Sequence, residues 1–74
     1  YVPTYEKCIS FTDEDMLYLK KVLEQYKKYK EPEVKELLDQ VTIKTAQRLE
    51  LEEPIPKQIK FLETVLKDYV QLTR

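Results

Sequence analysis

Neither glycine nor asparagine occurs in these 74 residues, and no other feature of the chain limits its folds so strongly. Glycine takes positive φ at no steric cost and asparagine tolerates it better than most residues, so left-handed turns and helix caps lose their usual residues. Bends must be made some other way. Four prolines remain, at Pro3, Pro32, Pro54 and Pro56, and the last three stand where helical patterns are interrupted. The chain therefore reads as helices punctuated by prolines. The same absence removes phosphate-cradling glycine loops, dinucleotide fingerprints, calcium loops, glycine-flanked serine elbows and N-glycosylation sites, each of which needs glycine or asparagine.

A chain this short forms one domain, whose core is expected to contribute only roughly 3–5 kcal/mol of net stability without a staple. With no histidine and a single cysteine, Cys8, it has neither an internal disulfide nor a set of soft metal ligands. Packing or a partner must supply the stability. The 13 Lys+Arg and 14 Asp+Glu nearly cancel, so no global field draws the chain to nucleic acid or to an anionic membrane. The longest apolar run, Met16 to Leu19, is far short of the roughly 20 residues of a spanning helix, and the first residues lack the basic-then-apolar order of a signal peptide. A soluble cytoplasmic protein, without membrane association, cofactor or bound metal, is the expectation.

Residues 1–11 read as an extended N-terminal arm, because Tyr5, Lys7, Ile9 and Phe11 alternate with Glu6, Cys8 and Ser10. With no second strand to pair with, the arm is expected to pack as a strap. A first helix opens at Thr12, a good N-cap followed by Asp13, Glu14 and Asp15, with Phe11 and Met16 at the spacing of a hydrophobic staple. It should run over about 13–30, with Lys27, Lys28 and Lys30 complementing its negative end. Pro32 suits the first position of a second helix over 32–51, carrying Val34, Leu37, Leu38, Val41, Thr45 and Leu49 on one side. After the break at Glu52 to Pro56, a third helix over 56–73 repeats Ile59, Leu62, Leu66, Tyr69 and Thr73 at steps of three and four. The fold class is thus all-α, a small three-helix antiparallel bundle over residues 12–74 behind the arm.

Two of these helices carry more apolar surface than one seam needs. On helix one the arc runs from Met16, Leu19, Leu23 and Tyr26 through Val22 and Tyr29 to Tyr18, about 160°. On helix three, Phe61, Val65 and Leu72 widen it to roughly 180°. Ile43 falls on the polar side of helix two, amid Glu36, Asp39, Gln47 and Glu50. One explanation is that each helix touches two others and the arm covers the surplus. The preferred one is that Tyr18, Val22, Tyr29, Ile43, Phe61, Val65 and Leu72 form a protein interface for a second copy or for another protein.

Other chemistry is thinly represented. Lys20, Lys21, Lys27, Lys28 and Lys30 interleave with tyrosines and offer a nucleic-acid contact, although lysines near a helix end also suit the helix dipole. Thr45 to Leu49 invites comparison with a helix-turn-helix, but the acidic connector and the arginine-free helix after it do not fit. Cys8 has no histidine to activate it and reads as a half-buried structural thiol. The two acidic groups, Asp13 to Asp15 and Glu50 to Glu53, read as a helix cap and a solvated connector, leaving no catalytic set. The expectation is a non-enzymatic helical interaction module, a small accessory or regulatory subunit; the alternative is a nucleic-acid accessory protein using the lysines of helix one.

Overall fold

Thr12 starts the first helix with a complete capping box: its hydroxyl oxygen accepts from the Asp15 N–H at 3.1 Å, and the Asp15 carboxylate accepts from the Thr12 N–H at 3.0 Å. In the computed structural model, which describes residues 2–73, helix α1 spans Asp13–Lys28, α2 spans Pro32–Arg48 and α3 spans Gln58–Thr73. Tyr1, the first residue of the expected arm, and Arg74 lie outside the described residues. The three helices and the absence of strands among the described residues make this a small all-α three-helix bundle.

Each helix is shorter than its apolar period implies, for a local reason. Tyr29 is extended, so α1 stops at Lys28 rather than near residue 30, and Glu31 is extended too because Pro32 pushes the residue ahead of it out of helical geometry. Pro32 does open α2. At the other end, α2 closes at Arg48 rather than near Leu51, and it does so through a left-handed residue: Glu50 has φ 58°. The Glu50 N–H donates to the Gln47 carbonyl at 3.0 Å and the Leu51 N–H to the Ala46 carbonyl at 2.9 Å, the paired bonds of a Schellman cap. A glutamate thus occupies the position that glycine usually takes. Helix α3 begins at Gln58 rather than at Pro56; Pro54 and Pro56 disfavour helical geometry at Glu53 and Ile55, and Ile55 packs on the core.

Ion pairs fix the helix directions. Arg48, at the end of α2, reaches Asp15 at the start of α1, and Lys27, at the end of α1, reaches Glu63 near the start of α3. Helix α1 is therefore antiparallel to both of its partners. Lys35 near the start of α2 donates to the Gln58 side chain at the start of α3, so these two helices begin at the same end. Residues 49–57 can span about 30 Å when extended, enough to return along the roughly 25 Å of α2. Leu49, Leu51 and Ile55 pack on the core as the connector runs back.

The arm is not extended where it meets the bundle. Glu6–Ser10 winds into a 3₁₀ turn, which brings Tyr5, Cys8 and Phe11 onto one side at a spacing of three. Strand alternation would put Cys8 opposite the other two. Cys8 and Phe11 are buried and Tyr5 packs on the core, while Ile9 and Lys7 point outward. Arg48 secures the junction with α1: its guanidinium lies 4.3 Å from the centre of the Phe11 ring, donates to the Ser10 carbonyl at 3.0 Å and to Asp15 at 2.9 Å.

The left-handed glutamate supplies a direct test. Replacing Glu50 by glycine removes the Cβ clash of positive φ but also an exposed ion pair with Lys7, which is worth little at the surface. Thermal denaturation of Glu50→Gly should give a melting temperature a few degrees above the parent. A lower one would mean that the Lys7 pair outweighs the backbone strain.

Candidate interaction surface

The seven residues read from the sequence as a protein interface separate into two groups. Val22, Phe61 and Val65 are buried members of the core, and Leu72 is partly buried against it. These four line the interior rather than an outer flank. On α3 the reason is the 3₁₀ turn, which packs directly on that helix, with the Tyr5 ring edge-on to Phe61 at 5.4 Å and 78°. The arm consumes the surplus apolar arc. On α1, Val22 faces inward because the helix is gripped by α2 on one side and α3 on the other.

Tyr18, Tyr29 and Ile43 are exposed, at 55%, 50% and 56%. Tyr18 borders the small groove between α1 and α2, beside Val41, Lys44 and Thr45. Tyr29 stands beyond the end of α1, roughly 16 Å further along the axis at 1.5 Å per residue. Ile43 projects from α2. All five lysines offered as a nucleic-acid contact are exposed; Lys27 is paired with Glu63 at 3.0 Å and the Lys28 ammonium lies 5.2 Å from the Tyr29 ring.

The exposed apolar residues that do converge lie elsewhere. Leu17 on α1 is 67% exposed, Val70 on α3 is 46% exposed, and both border a groove of about 600 Å³ whose walls come from these two helices. Met16, Leu66 and Tyr69 complete its apolar lining. Lys20 stands on the α1 wall, Lys67 on the α3 wall, and Asp13 at one end accepts a hydrogen bond from the Tyr69 hydroxyl at 2.6 Å. The groove opens on the side of the α1/α3 pair that α2 leaves uncovered.

A second cluster is buried beneath the arm. Asp68 is fully buried on α3, and its carboxylate accepts from the Tyr5 N–H at 2.7 Å. Cys8 is also fully buried, not half-buried, and burial together with the nearby Asp68 charge pushes its thiol up to about 11. Such a thiol stays protonated and unreactive at neutral pH. Among the described residues no three acids, cysteines or histidines come together as a metal site, and no helix is long and apolar enough to cross a membrane.

A family model for a domain of unknown function, DUF8484, matches residues 1–74. The chain belongs to that family. No curated protein and no solved structure matches it. The family description carries no activity, so the site rests on the geometry of this member.

Both clusters left traces in the sequence that the periodicity reading passed over. Asp68 stands four residues before Leu72 and three after Val65, on the flank read as an interface, and a lone acid in such a stripe marks a buried carboxylate awaiting a donor. Val70 falls just outside the main stripe of α3 and Leu17 about 100° beyond the Met16 edge of the stripe on α1, and only the α1/α3 packing places them on one groove.

The raised thiol makes an alkaline prediction. A group whose pKa is raised on folding contributes its full stability below its unfolded pKa, here 9.0, and loses it as pH rises through about 11. Urea melts between pH 8 and pH 11 should therefore show a steeper alkaline loss in the parent than in Cys8→Ala. Parallel pH profiles would show that Cys8 ionises equally easily folded and unfolded.

Proposed function

We propose that this domain is a non-enzymatic helical interaction module, an accessory or regulatory unit that docks on a larger protein through the α1/α3 groove. The observation that carries this reading is the convergence of Leu17 and Val70. Two apolar side chains from different helices stand exposed on either side of one apolar-lined groove, and covering what remains exposed of each is worth about 1 kcal/mol. Singly exposed residues such as Ile43 are ordinary surface; a pair framing a concavity favours a binding site.

The proposed interface is accordingly moved from the seven residues of the sequence reading to Leu17, Leu66 and Val70, with Met16 beneath them. The nucleic-acid reading ranks lower. Lys27 is engaged by Glu63, and Glu24 interrupts the basic stretch, so few of its charges converge on one phosphate path.

Site-specific photo-crosslinking in the native cell tests this assignment. A photoreactive residue at position 17 or 70 should give the same discrete protein adduct, whereas one at Ile43 or Glu33 should not. An adduct pattern indifferent to position, or none from 17 and 70, would remove the groove from the function.

A further inference from the structure

At the opposite end of α3 from the α1/α3 groove, two hollows of about 280 and 520 Å³ share one rim, since Ile55, Pro56, Lys57 and Lys60 border both. Lys57 stands roughly 20 Å along the helix axis from Val70 at 1.5 Å per residue, so this is a separate surface. We infer that it receives an acidic segment of another protein, whose apolar side chains seat beside Ile55 and Pro56 while its carboxylates meet Lys57 and Lys60. The inference does not rest on the α1/α3 groove.

Charge selects the occupant. Lys57 and Lys60 are exposed, and the ammonium of neither pairs with an acid among the described residues. No described acid borders the smaller hollow, and none stands in the first turn of α3 to neutralise the two lysines. The acid on the larger hollow, Glu63, is already engaged by Lys27. Lys35, on the same lining, is held by Asp39 and by the Gln58 side chain. The rim therefore keeps two cations for which the chain supplies no counter-charge, and a docked carboxylate complements them.

Shape narrows the class of anion. Ile55 is half-buried and Pro56 exposed, so the surface between the cations and the core is apolar as well as concave. A flat anionic bilayer would span these hollows without filling them. Nucleic acid would find only two unpaired lysines here, and binding through phosphates grows with the number neutralised. A protein segment brings carboxylates and apolar side chains together. A two-fold pairing of this chain centred on the rim would set Lys57 and Lys60 against their own copies, which disfavours a second copy as the occupant.

Two fluorescein-labelled peptides of about ten residues, roughly 33 Å long when extended and so able to cross both hollows, provide the probes. Both alternate leucine with a polar residue, glutamate in one and glutamine in the other. Titrated against the intact chain by fluorescence anisotropy at low salt, the glutamate peptide should bind about fivefold tighter, with the advantage shrinking as salt is raised. Lys57→Gln with Lys60→Gln should erase the advantage, and Lys60→Gln alone should reduce it. Lys20→Gln with Lys21→Gln removes the same charge elsewhere and should leave most of it, with circular dichroism confirming that every variant keeps its helices. Equal affinities, no binding of either peptide, or an advantage lost as fully in the Lys20 and Lys21 variant overturns the inference. So does tighter binding of single-stranded DNA or of phosphatidylserine vesicles through Lys57 and Lys60, or a concentration-dependent dimer mass that Lys57→Gln with Lys60→Gln abolishes. None of these outcomes bears on the α1/α3 groove, which the adducts at positions 17 and 70 decide separately.

Discussion

Closure of the N-terminal segment onto α3 is the contact on which the other features of the molecule depend. The turn at Glu6–Ser10 covers the flank of α3 formed by Phe61, Val65 and Leu72, and the Tyr5 N–H meets the buried Asp68 carboxylate at the centre of that contact. A buried charge without donors would cost several kcal/mol. The Tyr5 N–H is one of the groups that hold the buried Asp68 carboxylate, so another register of the arm would withdraw that bond. Arg48 holds the far end of the same segment through Phe11, Ser10 and Asp15, so the arm is pinned at both ends.

The lack of glycine and asparagine shapes the connections rather than the helices. Proline sets the α1/α2 corner and disfavours helical geometry on the approach to α3, and both corners are built without positive φ. The α2 exit is different. There a full Schellman cap is formed on Glu50, and the strain of a left-handed glutamate is held by two backbone hydrogen bonds and by Leu49 and Leu51 on the core. Because that cap turns the chain back along α2, α3 starts beside the start of α2, and α1 becomes the shared neighbour of both. The exposed α1/α3 groove is a consequence: with α2 on one side of that pair and the arm on α3, no segment among residues 2–73 is left to cover Leu17 and Val70.

Helix number, helix starts at Thr12 and Pro32, and most of the core were legible because capping and a 3.6-residue period act locally. The wide apolar arcs were legible too, but not their meaning. Whether Val22, Phe61 and Val65 face solvent depends on how many neighbours each helix has, which is a tertiary fact. The arm was misread for a specific reason. Residues 5–11, with apolar groups at 5, 8 and 11 and also at 5, 9 and 11, satisfy a period of three and a period of two together, and the burial of Cys8 decides for three. The groove was least legible, since Leu17 and Val70 are 53 positions apart and neither belongs to its helix's main stripe.

Truncation tests most directly whether the arm is part of the core. A chain beginning at Phe11 keeps all three helices and the capping box but loses Tyr5, Cys8 and the Tyr5 N–H bond to Asp68. Urea unfolding of that chain beside the full one, followed by circular dichroism and by binding of a hydrophobic dye, separates the alternatives. If the arm is part of the core, the midpoint falls sharply, the transition becomes shallower and dye binds before unfolding, as Phe61, Val65 and the Asp68 carboxylate become exposed. An unchanged midpoint and slope, with no dye binding, would show that the three helices close their core without the arm.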